Sequence, residues 1–282
     1  MPTIQWYPGH IARAERQLKE QLNRVDVVLE VLDARIPLAS HHPQIDQWIG
    51  SKPRILILNR VDMIPASVCQ DWLTWFHQQG ETPYCTNAKQ GKGVKIISKI
   101  AQKASMAINQ RRQTRGMRSR PVRAVVIGFP NVGKSALINR LLGRKVVASA
   151  RRAGVTRKLQ WVRISERMEL LDAPGIIPVK LENQKDAAKL AICEDIGEAA
   201  YDNQGIAAAL VDLLIELQYE SVLQLRYCLE PANFTGEEYI VQLGRDRFQG
   251  DTERAAMQLL NDFRKGLMGN IPLELPEKNQ MQ

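Results

Sequence analysis

The chain lacks most of what marks secreted and membrane proteins. Across its 282 residues no apolar run approaches the ~20 residues that a helical bilayer span requires. The opening, Met1 to His10, does not have the basic-then-apolar layout of a secretion signal. Its four cysteines, Cys69, Cys85, Cys193 and Cys228, are scattered, with no C-x-x-C pair and no clustered histidines. The expectation is reduced thiols in a cytoplasmic protein, with no disulfide framework and no zinc module. There is no internal repeat and no low-complexity tract.

What is present is ordinary in bulk and uneven in charge. Hydrophobic content of 44% and charged content of 24% suit a globular protein, long enough for one large core or for a larger domain plus a smaller one. The net charge of +9 divides into about +16 over the first 197 residues and about −7 from Glu198 onward. Such a front part suits a polyanionic partner. Its densest stretch holds Arg111, Arg112, Arg115, Arg118, Arg120 and Arg123, whose guanidinium forks match phosphate oxygens. A solvated basic linker spanning about 109–123 is the plainer alternative.

Apolar runs at 25–32, 54–58, 83–85 and 122–127 read as strands, and 160–165 with 168–171 reads as a hairpin. Segments 67–79, 93–109 and 134–142 read as helices. The alternation implies an α/β fold with a mostly parallel sheet and helices on both faces. After Pro178 only helical patterns remain. We therefore expect a domain over 1–180 and an all-helical domain over 181–282.

Gly128-Phe129-Pro130-Asn131-Val132-Gly133-Lys134-Ser135 matches the phosphate-binding loop G-x-x-x-x-G-K-[ST]. The glycines let backbone N–H groups converge on phosphate oxygens. Lys134 would reach the outer phosphates and the Ser135 hydroxyl would hold Mg²⁺. Asp172-Ala173-Pro174-Gly175 fits D-x-x-G, with Asp172 reaching Mg²⁺ through water and Gly175 sensing the γ-phosphate. Thr156, on an arginine-flanked stretch, would add its hydroxyl to Mg²⁺ when triphosphate is bound. Asn59-Arg60-Val61-Asp62 matches the ends of N-K-x-D. There the Asp62 carboxylate would accept the guanine N1–H and amine, a contact that adenine cannot supply. Arg60 replaces the usual lysine, and its long stem and flat fork could stack over the base. Thr86-Asn87-Ala88 would supply a backbone amide to the guanine O6.

The base motif precedes the phosphate motif, the reverse of the usual order. With Trp6-Tyr7-Pro8-Gly9-His10, Asp33-Ala34-Arg35-Ile36-Pro37 and the helical tail carrying Phe263-Arg264-Lys265-Gly266, the chain resembles the circularly permuted GTPases of the YlqF type over nearly its whole length. The resemblance implies a P-loop GTPase fold with permuted motifs, a monomer that hydrolyses GTP, and binding to the large ribosomal subunit and its rRNA late in assembly. It implies nucleotide contacts from Asn59, Arg60, Val61, Asp62, Asn87, Ala88, Asn131, Val132, Gly133, Lys134, Ser135, Ala136 and Gly175. Ile176 stands where many GTPases orient water with glutamine, and the resemblance puts His10 in that catalytic role. It also makes Asn131 a candidate ligand for K⁺ beside Mg²⁺. The competing expectations are a GTP-dependent RNA-binding scaffold with negligible catalysis, and a permuted GTPase acting on another ribosomal particle.

Overall fold

A computed structural model describes residues 8–143, 160–166, 168–173, 175, 178, 183–197 and 201–277, with the side chains of 8–14, 160 and 172 outside that description. Its strands are β1 (Val27–Asp33), β2 (Arg54–Asn59), β3 (Tyr84–Thr86), β4 (Val122–Ile127), β5 (Gln160–Ser165) and β6 (Met168–Asp172). They form one sheet in the order β3-β2-β1-β4-β6-β5, in which β5 runs antiparallel to β6 and the other pairs are parallel.

Every residue of β1 is buried, which is why its sequence is a nearly unbroken apolar run. Val27, Leu29 and Val31 face Ile97, Ala101, Leu137 and Ile138 of α4 (Val94–Thr114) and α5 (Lys134–Leu142). Val28 and Leu32 point to the opposite face. That face is covered by α1 (Pro8–Leu22), α2 (Ile45–Ile49) and α3 (Ala66–Gln78), through Leu18, Ile45 and Trp72 among others. The expected two-sided α/β layering is therefore present.

Register places the motif residues along one edge. Asp33 lies opposite Asn59, Asn59 opposite Thr86, and Val126 opposite Asp172. All are at or near strand carboxyl ends, where open α/β sheets bind ligands.

The helical region comprises α6 (Gln184–Ile192), α7 (Asn203–Glu216), α8 (Ser221–Tyr227), α9 (Gly236–Arg247) and α10 (Thr252–Lys265). Its apolar faces merge with the sheet's core, since Phe129 and Val126 share one buried cluster with Leu190, Leu210 and Leu259. The chain then returns to the exit of β1. Leu273 and Glu274 donate their amides to the Arg35 carbonyl at 2.9 and 3.1 Å. The Glu274 carboxylate accepts from Leu38 N at 2.8 Å and Ala39 N at 3.1 Å.

Several expectations need correction. Helix α4 reaches Thr114, so Arg111 and Arg112 belong to a helix rather than to a linker. Arg120 pairs with Asp26 at 2.8 Å, and Arg123 pairs with Glu169 while lying over the Trp161 ring. Of the six arginines, Arg111, Arg115 and Arg118 are left exposed without such a partner among the described residues. Helix α1 was missed, although Leu18 and Leu22 share its buried face and Glu15–Lys19 and Arg16–Glu20 pair one turn apart on it. Pro8-Gly9-His10 is its first turn.

Candidate functional site

Asn59 ends β2 and joins three segments with one side chain. Its Oδ1 accepts from Thr86 Oγ1 at 3.0 Å and from the Ala88 amide at 2.9 Å, while Nδ2 donates to the Val132 carbonyl at 2.7 Å. The base-reading loop and the phosphate loop are thereby tied edge to edge. The expected amide for guanine O6 does not come from Ala88, because Asn59 takes it, nor from Asn87, whose amide donates to the Lys92 carbonyl at 2.9 Å. Asn87 is 2% exposed and accepts from Gln90 N through Oδ1, leaving Nδ2 as a buried donor without a partner among the described residues.

Arg60 also departs from expectation. With φ at 64°, it directs its fork to the Asn131 carbonyl at 2.7 Å and lies 3.5 Å from Asp33 Oδ2. Only its stem is left to lie along a base. Val61 and Asp62 form a short 3₁₀ turn with Met63, and the exposed Asp62 carboxylate makes no hydrogen bond among the described residues.

The phosphate loop has the conformation its glycines permit. At Gly128, φ is 147° and a Cβ would lie 2.3 Å from the Val31 carbonyl oxygen. At Gly133, φ is 103° and a Cβ would lie 2.2 Å from Asn59 Nδ2. Lys134 is buried and donates to the Gly128 and Phe129 carbonyls at 3.1 and 2.7 Å, curling over the loop it serves. Ser135 and Ala136 follow in the first turn of α5, where the helix dipole favours an anion. Gly175 presses on the same loop, since a Cβ there would lie 2.5 Å from Pro130 N. Asp172 ends β6 beside β4, whereas its side chain, the His10 side chain, Thr156 and Ile176 lie outside the described residues.

Asn131, at φ 56°, donates Nδ2 to the Glu194 carbonyl at 2.6 Å. An amide nitrogen cannot ligate a cation, so a K⁺ contact would need Oδ1. This bond joins the phosphate loop to the turn between α6 and α7.

Two charged features stand at that junction, one within the Asp33–Pro37 turn and one with no sequence signal. Asp33 and Arg35 are fully buried and face each other, with Arg35 Nε donating to Asp33 Oδ1 at 3.0 Å and its terminal nitrogen to Oδ2 at 2.7 Å. Burial alone would raise the Asp33 carboxyl, yet Arg35 and Arg60 hold it below its ordinary value. Arg35 also donates to the Cys193 carbonyl at 3.3 Å and lies over the Phe263 ring. The second feature is Asp195, 0% exposed, with neither carboxylate oxygen hydrogen-bonded among the described residues. Burial, with the Asp33 charge added, pushes it well above the usual carboxylate range against the pull of Arg60, Arg35 and Lys134. No local pattern marks Asp195, because its burial depends on the helical region closing over the phosphate loop.

The raised Asp195 carboxyl has a consequence for stability. The folded state keeps its proton to higher pH than the unfolded state. Its contribution is therefore intact below the ordinary carboxylate range and lost as pH rises through the folded value. Asp195→Asn should raise stability at pH 8 by about 1–2 kcal/mol, and the gain should shrink toward pH 5. Thermal unfolding of both proteins across that range checks this, and a less stable variant at pH 8 would refute it.

Comparison with known proteins bears on the family and the fold. Residues 123–225 match the family model described as 50S ribosome-binding GTPase. A ribosome biogenesis GTPase A from Bacillus cereus is 35% identical, with 98% of this chain and 95% of the relative aligned. One from Priestia megaterium is 36% identical over 98% of each chain. Among solved structures, a GDP-bound YlqF aligns with a TM-score of 0.68 at 26% identity, covering 93% of this chain and all of that one. A GNP-bound YlqF from T. maritima aligns at 0.66 and 25% identity, covering 94% of this chain and 99% of the other.

Proposed function

The chain belongs to the ribosome biogenesis GTPase A family, a family of circularly permuted GTPases, and from that premise we propose that it binds the large ribosomal subunit late in assembly and leaves it on hydrolysing GTP. The observation that carries the nucleotide part is the Asn59 bond to Val132, which lets one molecule span the base-reading and phosphate loops. In this reading Asp62 accepts the guanine edge, and Asn59, Arg60, Val61, Asn87 and Ala88 shape the wall behind it. Asn131, Val132, Gly133, Lys134, Ser135, Ala136 and Gly175 surround the phosphates. The site fits Mg²⁺. Ser135 lies in the first turn of α5 and Asp172 ends the neighbouring β6, so a hydroxyl and a water-bridging carboxylate come from adjacent elements, with Thr156 as the third contributor. When bound, the ion neutralises charge that develops on the phosphates.

His10 is our candidate for the group that assists the attacking water. It lies on the same helix as Glu15, whose charge acts on His42, and the His42 ring stands 6.4 Å from Phe129 of the phosphate loop. Burial lowers His42 itself to about 4, so it stays neutral. The division into a GTPase domain over 1–180 and a helical domain over 181–282 belongs to this reading as well.

For rRNA, the exposed Arg111, Arg115 and Arg118 at the end of α4 suit phosphate contact. In the tail, Arg264 is committed to the Ile192 and Ala191 carbonyls and Arg247 to that of Tyr227, which leaves Arg245, Arg254 and Lys265 exposed.

Sedimentation with ribosomal subunits under GDP, GTP and a non-hydrolysable analogue tests the main proposal. Enrichment on large subunits with triphosphate forms is the expected result, and equal pelleting under all three would overturn it. In the same mixture His10→Ala should bind GTP normally and turn over more slowly. Base choice has its own test. Asp62→Asn should weaken GTP binding by about 30- to 100-fold, the loss of a pair of hydrogen bonds to a charged acceptor. Unchanged competition between GTP and ATP in that variant would remove Asp62 from the site.

A further inference from the structure

Outside the nucleotide site, the most telling side-chain cluster is a pair of thiols beside the base-reading loops. Cys69 lies in the first turns of α3 and Cys85 in β3, sixteen residues apart in sequence, with their sulfurs 2.9 Å from each other. Both are free and partly exposed, whereas Cys193 is buried and Cys228 is exposed alone. We propose that Cys69 and Cys85 form a reversible disulfide under peroxide, and that this bond lowers the affinity of the site for guanine nucleotide. The second half of the proposal rests on the guanine-site reading above, whereas the bond itself does not.

The two sulfurs are unequal in a way that assigns their roles. The hydrogen bond from Cys85, helped by the Lys92 charge, holds the Cys69 thiol below its ordinary value against burial. The same hydrogen bond, together with burial, pushes Cys85 far up. Cys69 also sits in the first turn of α3, where the helix dipole favours a thiolate, and is therefore the sulfur that attacks. Its sulfur displaces hydroxide from hydrogen peroxide, the O–O bond breaks, and Cys69 becomes a sulfenic acid. The Cys85 sulfur then attacks the Cys69 sulfur. The S–S bond forms, the S–O bond breaks, and the departing hydroxide leaves as water with the Cys85 proton. Two thiols and one peroxide thus give one disulfide and two waters. A small-molecule thiol reverses the reaction by exchange.

Placement supplies the link to nucleotide. Helix α3 begins three residues after the turn that carries Asp62, and Cys85 immediately precedes Thr86. Closing 2.9 Å to a disulfide of about 2.05 Å draws the two sulfurs together by roughly 0.9 Å and fixes both side chains in one geometry across β3 and α3. There is little slack to absorb this. A Cβ on Gly93 would lie 2.2 Å from the Cys85 carbonyl, so the 86–93 loop is already packed against that strand. The bonds at risk are those from Thr86 Oγ1 and Ala88 N to Asn59 Oδ1. Loss of one neutral hydrogen bond corresponds to about five- to tenfold in affinity.

The full-length protein, reduced and then treated with one equivalent of hydrogen peroxide, provides the test. Trypsin leaves both cysteines in the single peptide 61–89, and cleavage at Glu81 within it separates them only if no bond joins them. We expect that peptide to resist alkylation and to stay joined, with Cys228 still alkylated. Binding of a fluorescent GDP analogue should weaken five- to tenfold and recover on adding dithiothreitol. Cys69→Ser and Cys85→Ser should each bind the analogue normally and fail to respond to peroxide. Oxidation of Cys228 with no bond between Cys69 and Cys85 would overturn the proposal. So would a bond formed without any change in GDP binding, or an equal loss of binding in Cys69→Ser. If the reduced protein bound no GDP at all, the guanine-site reading would fail and the peptide result would still decide whether the bond forms.

Discussion

Gly133→Ala is expected to weaken guanine-nucleotide binding by about 10²–10³-fold and to lower stability by about 3–5 kcal/mol. Two independent costs combine at this position. The backbone φ of 103° is one that an L side chain rarely adopts, and the added methyl would stand 2.2 Å from Asn59 Nδ2. Relief of that collision requires Asn59 to swing away. The swing breaks its bond to Val132, and its bonds to Thr86 and Ala88 move with it. One methyl group thus disturbs the phosphate loop, the base-reading loop and the joint between them. Titration with a fluorescent GDP analogue, alongside thermal unfolding, measures both effects. Gly143→Ala is the control, because its Cβ would meet nothing within 4 Å although φ is 66°. Similar affinities for the Gly133 variant and the wild type would mean that the two loops are not coupled through Asn59.

Arg35→Ala should lower stability by about 3–5 kcal/mol, because it strands the buried Asp33 carboxylate without its partner. For a chain of this size that corresponds to a fall of roughly 10 °C in Tm. The variant also loses the donor to the Cys193 carbonyl and the guanidinium over Phe263, which bind the exit of β1 to the helical region. A buried ion pair is weak evidence of stability by itself, since an apolar pair of similar volume can do as well. The double variant Asp33→Ala with Arg35→Met should therefore recover much of the loss. A single variant that unfolds within 1 °C of the wild type would show that water or a neighbouring group already satisfies Asp33.

The legible part of this molecule was local. The strand ending at Asn59, the loop 128–135 and the helix beginning at Lys134 could be read because glycine spacing, apolar periodicity and strand-to-helix order reside in contiguous residues. Helix α1 was harder to read. Its apolar residues Leu18 and Leu22 come late in the helix, and its pairs Glu15–Lys19 and Arg16–Glu20 give it a polar appearance. The arginine-rich segment misled in another way, since six like charges within thirteen residues give no sign of which ones have a carboxylate waiting. Arg120 and Arg123 find Asp26 and Glu169 only after β1, β4 and β6 are side by side.

By itself the sequence determined that a phosphate loop follows one parallel strand, that a base-reading motif follows another, and that the second comes first in the chain. Those facts depend on chemistry within a few residues, so no partner had to be known. The tertiary structure alone decided which polar groups are still free to meet a ligand. The Ala88 amide, the Arg60 fork and the Asn131 amide nitrogen are each taken by groups 29, 71 and 63 residues away. Asp195 is buried by the same long-range closure, because hydrogen bonding and desolvation depend on distance in space and are indifferent to separation along the chain.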